Sequence, residues 1–187
     1  MSEPADFSAA LVEALPNLRA FAYSLARSPD RADDLVQETM VKAWDKRQSF
    51  APGTNLRAWL FTILRNTYYS DLRKRRREVE DRDGAMAARL TSPPEQEGHL
   101  DFADFLVAFG MLNDDQREAI VLIAAEGFAY EEAAEICGCA VGTLKSRVNR
   151  ARVRLADILK IDSIDEFGPD ATTRAIVAGS LTVSTRS

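Results

Sequence analysis

The sequence predicts an all-α protein made of two small helical domains joined by a flexible linker, the second containing a helix-turn-helix. Apolar residues recur every three or four positions through most of the 187 residues, and no stretch alternates as a strand does. From residue 81 to residue 100 this pattern gives way to a polar stretch with glycines and prolines. We therefore place the first domain at residues 6–80, the linker at 81–100, the second domain at 101–161 and an acidic tail of unknown role at 162–187.

Composition excludes several classes of protein. The chain has 24 basic and 29 acidic residues, two cysteines (Cys137 and Cys139) and a single histidine, His99. A Cys/His zinc site needs about four ligands, and a His-based triad is disfavoured because His99 lies in a polar, acidic stretch. No apolar run of about 18 residues and no signal-peptide pattern is present. We expect a cytoplasmic protein, not an enzyme, with no membrane contact, no cofactor and no metal.

Basic residues are concentrated in two short stripes. Six lie from Arg65 to Arg77 against one acid, Asp71, and five lie from Lys145 to Arg154 with no acid among them. Two basic stripes on a chain of net charge −5 indicate two local phosphate contacts and weak general affinity for DNA. Taken alone, either stripe is equally compatible with a solvated face.

Three helices are predicted in the first domain. The first covers residues 7–27, and Pro16 should kink or break it because its ring removes a donor and clashes with the preceding turn. The second runs from residue 31 to about 47 and carries Asp34, Gln37 and Glu38 opposite its apolar face. No base, nucleophile or metal ligand pairs with these carboxylates, so a solvated face or a protein contact is favoured over catalysis.

The third helix starts near Leu56 and combines aromatic with cationic side chains. Unpaired bases stack on rings while the nucleic-acid backbone follows positive charge, so this combination suits single-stranded DNA. A core position is favoured for Trp59, whereas Tyr68 and Tyr69 are equally compatible with the core and with a binding surface.

The second domain carries the sharper signal. A short helix at residues 130–137, a tight turn at Gly138-Cys139-Ala140 and a longer helix at residues 141–155 form a helix-turn-helix pattern. One face of the longer helix is apolar, and polar or basic residues on its N-terminal half suit the donors and acceptors of a major groove. The alternative is a basic helix that faces solvent. Cys137 and Cys139 fit small, buried packing better than metal binding or redox sensing.

These segments resemble the extracytoplasmic-function (ECF) sigma factors of the sigma-70 family. Residues 30–39, 55–60 and 66–67 are similar to the first conserved domain of that family, and residues 114–119, 130–136 and 141–152 to the second. The resemblance covers about residues 6–160. The segment Phe50–Leu56 and the Cys-Gly-Cys turn further resemble the EcfG-like general-stress-response group of alphaproteobacteria.

The resemblance implies a bacterial RNA polymerase specificity subunit with three contact surfaces. The polymerase largest subunit would present its clamp coiled coil to Asp34, Gln37 and Glu38. The melted strand of the promoter −10 element would be bound by Asn55, Arg57, Phe61, Arg65, Tyr69, Arg73 and Lys74. The −35 element would be read in the duplex by Thr143, Lys145, Ser146, Arg147, Asn149 and Arg150.

The resemblance also implies partners and a departure from the family pattern. Such factors bind core RNA polymerase and promoter DNA, and a small anti-sigma protein holds this group inactive until a sigma-mimicking response regulator frees the factor. Ala129 stands where the family often has a hydroxyl N-cap, a loss of about 0.5–2 kcal/mol that should make the next helix fray more easily.

Two other readings remain open. A sigma-mimicking regulator that sequesters an anti-sigma protein normally carries a receiver domain, for which this chain has no room. A plain helix-turn-helix transcription regulator would leave the whole first domain unexplained.

Overall fold

The structure, a computed structural model, describes residues 4–51, 53–80 and 102–160. Within these ranges the chain is helical and contains no strand, as predicted. The expectations for the 81–100 linker and the tail after residue 161 lie outside the described residues. The helices are α1 (Pro4–Ala26), α2 (Pro29–Asp45), α3 (Leu56–Glu80), α4 (Phe102–Gly110), α5 (Asp114–Ile120), α6 (Tyr130–Cys137) and α7 (Val141–Leu159).

The first domain is a bundle of α1, α2 and α3. Contrary to the expectation of a break, α1 continues through Pro16, whose ring lies on the exposed face. Leu11 and Leu18, on either side of it, are both buried in the core. Packing of this apolar face holds α1 together across the missing backbone donor.

Helix α5 begins with the capping box that its sequence indicates. The backbone N–H of Gln116 donates to Asn113 Oδ1 at 2.9 Å, and the N–H of Asn113 donates to Gln116 Oε1 at 3.3 Å. The helix then widens into one π-helical turn, Val121–Ala125. The chain reverses at Gly127, which has a φ of +68°, a value that glycine adopts without steric penalty. This reversal places Phe128 back in the core.

The helix-turn-helix forms where it is predicted, from α6 and α7. Gly138 ends α6 in the left-handed region with φ +62°, the conformation that glycine adopts without steric penalty. The buried residues of α7 are Leu144, Val148, Ala151 and Leu155, the apolar face of the sequence pattern. Glu132 accepts a hydrogen bond from the Ala129 N–H at 3.2 Å, so the start of α6 keeps one of its capping contacts without a hydroxyl.

The two domains share one hydrophobic core. Phe61 stacks on Phe21 of α1 at 4.9 Å between ring centroids and meets Phe128 edge-on at 5.1 Å. Leu122 and Ile136 of the second domain belong to the same buried cluster. Docking through this core sets α3 directly against α6, which determines the surroundings of the candidate site.

Candidate polymerase and nucleic-acid interfaces

Helix α7 presents a polar face to solvent. Thr143, Lys145, Ser146, Asn149 and Arg150 are all exposed, while the opposite face is buried in the core. The exposed set lies in the N-terminal half of the second helix of a helix-turn-helix, the part that enters a major groove. Because these side chains lie on the surface, their donors and acceptors can reach base edges.

The two arginines of this helix that are assigned to the −35 element differ in availability. Arg147 is half-buried, and its Nη2 lies 3.0 Å from Asp115 Oδ2, so the fold already uses its charge. Arg150 is exposed, and its Nη2 donates to Ser146 Oγ at 2.8 Å on the preceding turn. Arg150 is therefore the better placed of the two for contact with DNA.

Helix α2 carries the acidic face predicted to contact another protein. Asp34, Gln37 and Glu38 are all exposed on one side of it. Glu38 Oε1 lies 2.7 Å from Lys42 Nζ, which also donates to Thr67 Oγ1 at 3.1 Å on α3. This side of the bundle is open to a partner.

The loop before α3 is held by Asn55. Its side-chain Oδ1 accepts from the backbone N–H of Ala58 at 3.1 Å, which makes Asn55 the cap of α3. Its Nδ2 donates to Glu132 Oε1 at 2.7 Å across the domain boundary. One side chain thus both starts α3 and touches the second domain.

Arg57 is held by a buried carboxylate of the second domain. Its Nη2 forms an ion pair with Glu126 Oε2 and donates to the Glu126 backbone oxygen at 2.7 Å. Its guanidinium also lies 4.4 Å from the centroid of the Phe128 ring. The Glu126 side chain is only 1% exposed and also accepts from Asn17 Nδ2 at 2.9 Å.

Arg65 has a similar partner. Its Nε donates to Glu118 Oε1 at 2.5 Å, and the Glu118 side chain is completely buried. Burial raises the pKa of the Glu118 carboxyl, and the nearby Arg65 charge opposes that rise. The Tyr69 hydroxyl lies 3.5 Å from Glu118 Oε2, and burial raises the pKa of this tyrosine.

One of the predicted strand-binding residues, Phe61, lies in an unexpected place, whereas Trp59 lies where the sequence favoured it. Phe61 is completely buried, so in this arrangement its ring packs against Phe21 and Phe128 and is closed to bases. Trp59 is partly buried against Phe50, as its apolar neighbours indicate. Arg73 and Lys74, one turn and more beyond the docked surface, are exposed.

The sequence reasoning missed the charged groups of the second domain that face α3. These groups are Glu118, Glu126 and Glu132, and the sequence pattern of their segments indicates only the apolar faces. The arginine partner of Glu118 is 53 residues away along the chain, and that of Glu126 is 69 residues away. Buried Arg117 was missed as well, and its Nη1 donates to the Ser24 carbonyl of α1 at 3.3 Å. An arginine and acids within an apolar helix pattern are the only local signal of such buried pairs.

Residues 4–51, 53–80 and 102–160 contain no group of three or more His, Cys, Asp or Glu side chains that could hold a metal ion. In the same ranges no helix has the length and apolar character needed to cross a bilayer.

Both domains match established families. Residues 11–78 match sigma-70 region 2, and residues 103–155 match sigma-70 region 4. The chain is 59% identical over 169 residues to the ECF RNA polymerase sigma factor EcfG of Rhodopseudomonas palustris (strain TIE-1), covering 90% of this chain and 93% of that one. This chain therefore belongs to the ECF sigma factors of the sigma-70 family, the bacterial subunits that direct RNA polymerase to promoters.

Solved structures agree with this assignment. The sigma factor RpoE of Bartonella quintana, crystallised with the anti-sigma factor NepR, is 58% identical with a TM-score of 0.74, covering 84% of this chain and 99% of that one. CnrH, solved with the cytosolic domain of CnrY, is 26% identical with a TM-score of 0.56, covering 87% of this chain and 92% of that one.

Proposed function

We propose that this sigma factor uses three surfaces, one for core polymerase and two for the promoter, and serves the general stress response in the cytoplasm. In this proposal α2 contacts core polymerase, α7 reads the −35 element and α3 with its preceding loop binds the melted −10 strand. Catalysis belongs to the polymerase, and this chain contributes recognition alone. The observation that carries the proposal is the separation of the two faces of α7.

The −35 assignment is supported by which side chains α7 leaves in solvent. Thr143, Lys145, Ser146, Asn149 and Arg150 are exposed, and they carry the donors and acceptors that base edges in a major groove can pair with. Arg147 belongs to the same segment, but its pairing with Asp115 favours a positioning contribution over base reading.

The −10 assignment is supported by the composition of α3 and its approach loop. Asn55, Arg57, Arg65 and Tyr69 lie along one side of the helix, and Arg73 and Lys74 extend it with exposed positive charge. Cations beside aromatic rings suit a single strand, whose phosphates and unstacked bases they bind together. Phe61 would support this surface from beneath by packing.

Core polymerase binding is assigned to the face formed by Asp34, Gln37 and Glu38. The three side chains project from α2 away from the shared core, so a clamp coiled coil can reach them without any rearrangement of the fold. Exposed acidic and amide groups suit a basic or mixed partner surface.

Regulation by a small anti-sigma protein is the remaining part of the proposal. It is supported by the 58% identity to RpoE of Bartonella quintana, which crystallised with the anti-sigma factor NepR. The stress-response assignment is supported by the 59% identity to EcfG of Rhodopseudomonas palustris. By the same analogy a sigma-mimicking response regulator would release the factor from its inhibitor.

Replacing Arg150 tests the −35 assignment. Arg150→Ala removes a contact worth roughly 1–3 kcal/mol of base discrimination, so holoenzyme footprints should lose protection over the −35 region. Affinity for core polymerase should stay unchanged, since the residues assigned to polymerase binding lie on α2 and not on α7.

The matched control is Arg154→Ala, which removes an equal charge from an exposed position in the C-terminal half of α7. Its footprint should be that of the unmodified factor. Equal losses of core affinity and −35 protection for Arg150→Ala would mean that the residue is structural and that the assignment is wrong.

A further inference from the structure

One apolar side chain on the solvent face of α7 is not used by the proposed function. Val153 is 54% exposed, and it follows Ser146, Asn149 and Arg150 at spacings of seven, four and three residues. Such spacings place side chains on one face of a helix. This face therefore combines an apolar contact point with polar and basic groups that are assigned to the −35 element.

Positive charge on the same helix has no carboxylate partner within the described part of the chain. Arg150 donates to Ser146 Oγ at 2.8 Å and to the Ser146 carbonyl at 3.3 Å. The Lys145 ammonium lies 5.6 Å from the centroid of the Tyr130 ring. The ion pairs that α7 forms among the described residues involve its other arginines. An acid that approached this face would therefore find two cations with which to pair.

The chain that leaves α7 has the complementary composition. Residues 162–170, which we call the acidic segment, contain four acids and no basic residue. Two apolar residues, Ile164 and Phe167, flank the central pair of acids in this segment. The sequence thus offers apolar groups for the exposed valine and carboxylates for the cations beside it.

The acidic segment is long enough to return along α7. The helix ends at Leu159, and Lys160 has a left-handed φ of +51°, which turns the chain away from the helix axis. At the helical rise per residue, Val153 and Arg150 lie about 10 Å and about 15 Å back along the axis from Lys160. An extended chain can carry Phe167 about 23 Å from Lys160. The segment therefore reaches both side chains without any change in the helix.

We propose that the acidic segment docks on the solvent face of α7 in the free factor. Its apolar residues cover Val153, and its carboxylates pair with Arg150 and Lys145. The proposal rests on the proposed function, because the covered face is the one assigned to the −35 element. A segment tethered this closely has an effective concentration of about the millimolar range, so it competes with weakly bound DNA. Promoter DNA that the polymerase holoenzyme holds in place displaces it.

The docked segment is tested directly by carbodiimide crosslinking of the full chain, which joins an amine to a carboxylate that it contacts. Arg150→Lys supplies an amine at the docking position without changing the charge, and Arg76→Lys, at an exposed position of α3, is the matched control. Peptide mapping should join the amine from Arg150→Lys to the acidic segment within one chain. The amine from Arg76→Lys should give no such product.

The apolar contact is tested by adding Val153→Ser to the Arg150→Lys chain. This substitution leaves the charge unchanged and should lower the yield of the crosslink at least about threefold, because the apolar area that it removes from the contact helps to hold the segment. The matched control is Val12→Ser, since Val12 is 62% exposed on α1. Its yield should equal that of the Arg150→Lys chain.

The effect on DNA is measured with a fluorescent random-sequence duplex of about 20 base pairs, two turns of the double helix. The opening variant combines Asp165→Asn, Glu166→Gln and Asp170→Asn. The control makes the same charge change at exposed positions of α1 and α2, with Glu13→Gln, Asp30→Asn and Asp45→Asn. The opening variant should bind at least about fivefold more tightly than the control, because apparent affinity scales with the uncovered fraction. Val153→Ser alone should also bind more tightly than Val12→Ser.

Three results would overturn the docked segment and leave the proposed function standing. The first is the absence of the crosslink together with equal DNA binding by the opening variant and its control. The second is an equal yield of the crosslink from Arg76→Lys. The third is a crosslinked dimer in place of the product within one chain, which would assign the segment to a second copy. A crosslink as predicted, without tighter DNA binding by the opening variant, would instead contradict the assignment of this α7 face to DNA.

Discussion

Charged side chains that are buried in pairs control how the two domains meet. Glu118 has no exposed surface, yet its carboxylate is matched by Arg65, which reaches it from the other domain. Such a pair contributes little over an apolar contact, but removal of one partner leaves an uncompensated charge and costs about 3–5 kcal/mol. Substitution of Glu118 or Arg65 alone should therefore lower the stability of the protein.

Arg65→Met should make stability depend on pH. Without the guanidinium, the already raised pKa of the Glu118 carboxyl rises further in the folded state. A folded-state pKa above the unfolded one means that stability falls as pH rises through the folded value. The variant should therefore lie about 3–5 kcal/mol below the unmodified chain near neutral pH and approach it as the solution becomes acidic.

Thermal unfolding of both proteins between about pH 5 and about pH 8 measures this difference. Arg76→Met, at an exposed position of α3, is the control and should show a small, constant difference. A large difference for Arg65→Met that does not change with pH would show that Glu118 is not the responsible group.

Sequence reasoning located individual polar residues on exposed faces but not the buried ones. Lys145 and Asn149 were predictable because the period of α7 assigns them to the face opposite Leu144 and Val148. Glu126 was not, because its burial depends on Arg57, 69 residues earlier in the chain. Local patterns carry no information on which distant charges will be paired.

At the scale of elements, most helices follow from capping and periodicity. The Asn113 capping box fixes the start of α5, and Gly138 fixes the turn between α6 and α7. The exception is α1, where the rule for proline predicted a kink or a break at Pro16, and the helix continues unbroken through that residue. Tertiary packing of Leu18 and its neighbours outweighs the local penalty.

Pro16→Ala should stabilise α1. The substitution restores a backbone donor and removes a clash, which together stabilise the folded helix by about 3 kcal/mol. The unfolded chain gains conformational entropy when the proline is lost, which lowers the free energy of unfolding by about 0.4–1 kcal/mol. We expect a net gain of about 2 kcal/mol, seen in urea as a higher midpoint with an unchanged slope. Glu13→Ala, also exposed on α1, should change stability by less than about 0.5 kcal/mol. A lower midpoint for Pro16→Ala would mean that the ring itself supports the helix.

At the scale of the whole molecule, the two-domain organisation was predictable and the docking of the domains was not. The loss of helical periodicity after residue 80 marks the boundary in the sequence. The shared core of Phe21, Phe61 and Phe128 joins residues that each look like the interior of their own domain. Nothing in the sequence distinguishes a residue buried within a domain from one buried between two.

Charge at this scale sets the behaviour of the free factor toward DNA. The net charge is −5, and the cations Arg57 and Arg65 are neutralised by glutamates. Non-specific affinity for DNA depends on the number of phosphates neutralised, and Arg57 and Arg65 are not available for that purpose. The free chain should therefore bind DNA weakly, and it should bind promoter DNA well only together with core polymerase.

The central claim is that this chain recognises promoters as part of the polymerase and not alone. The most direct measurement compares the chain alone, core polymerase alone and their mixture in a mobility-shift assay on a pool of genomic promoter fragments at physiological salt. We predict that only the mixture retains a defined subset of fragments and transcribes from them. Tight, sequence-specific retention by the isolated chain, unchanged when core polymerase is added, would contradict the account and favour a plain helix-turn-helix regulator.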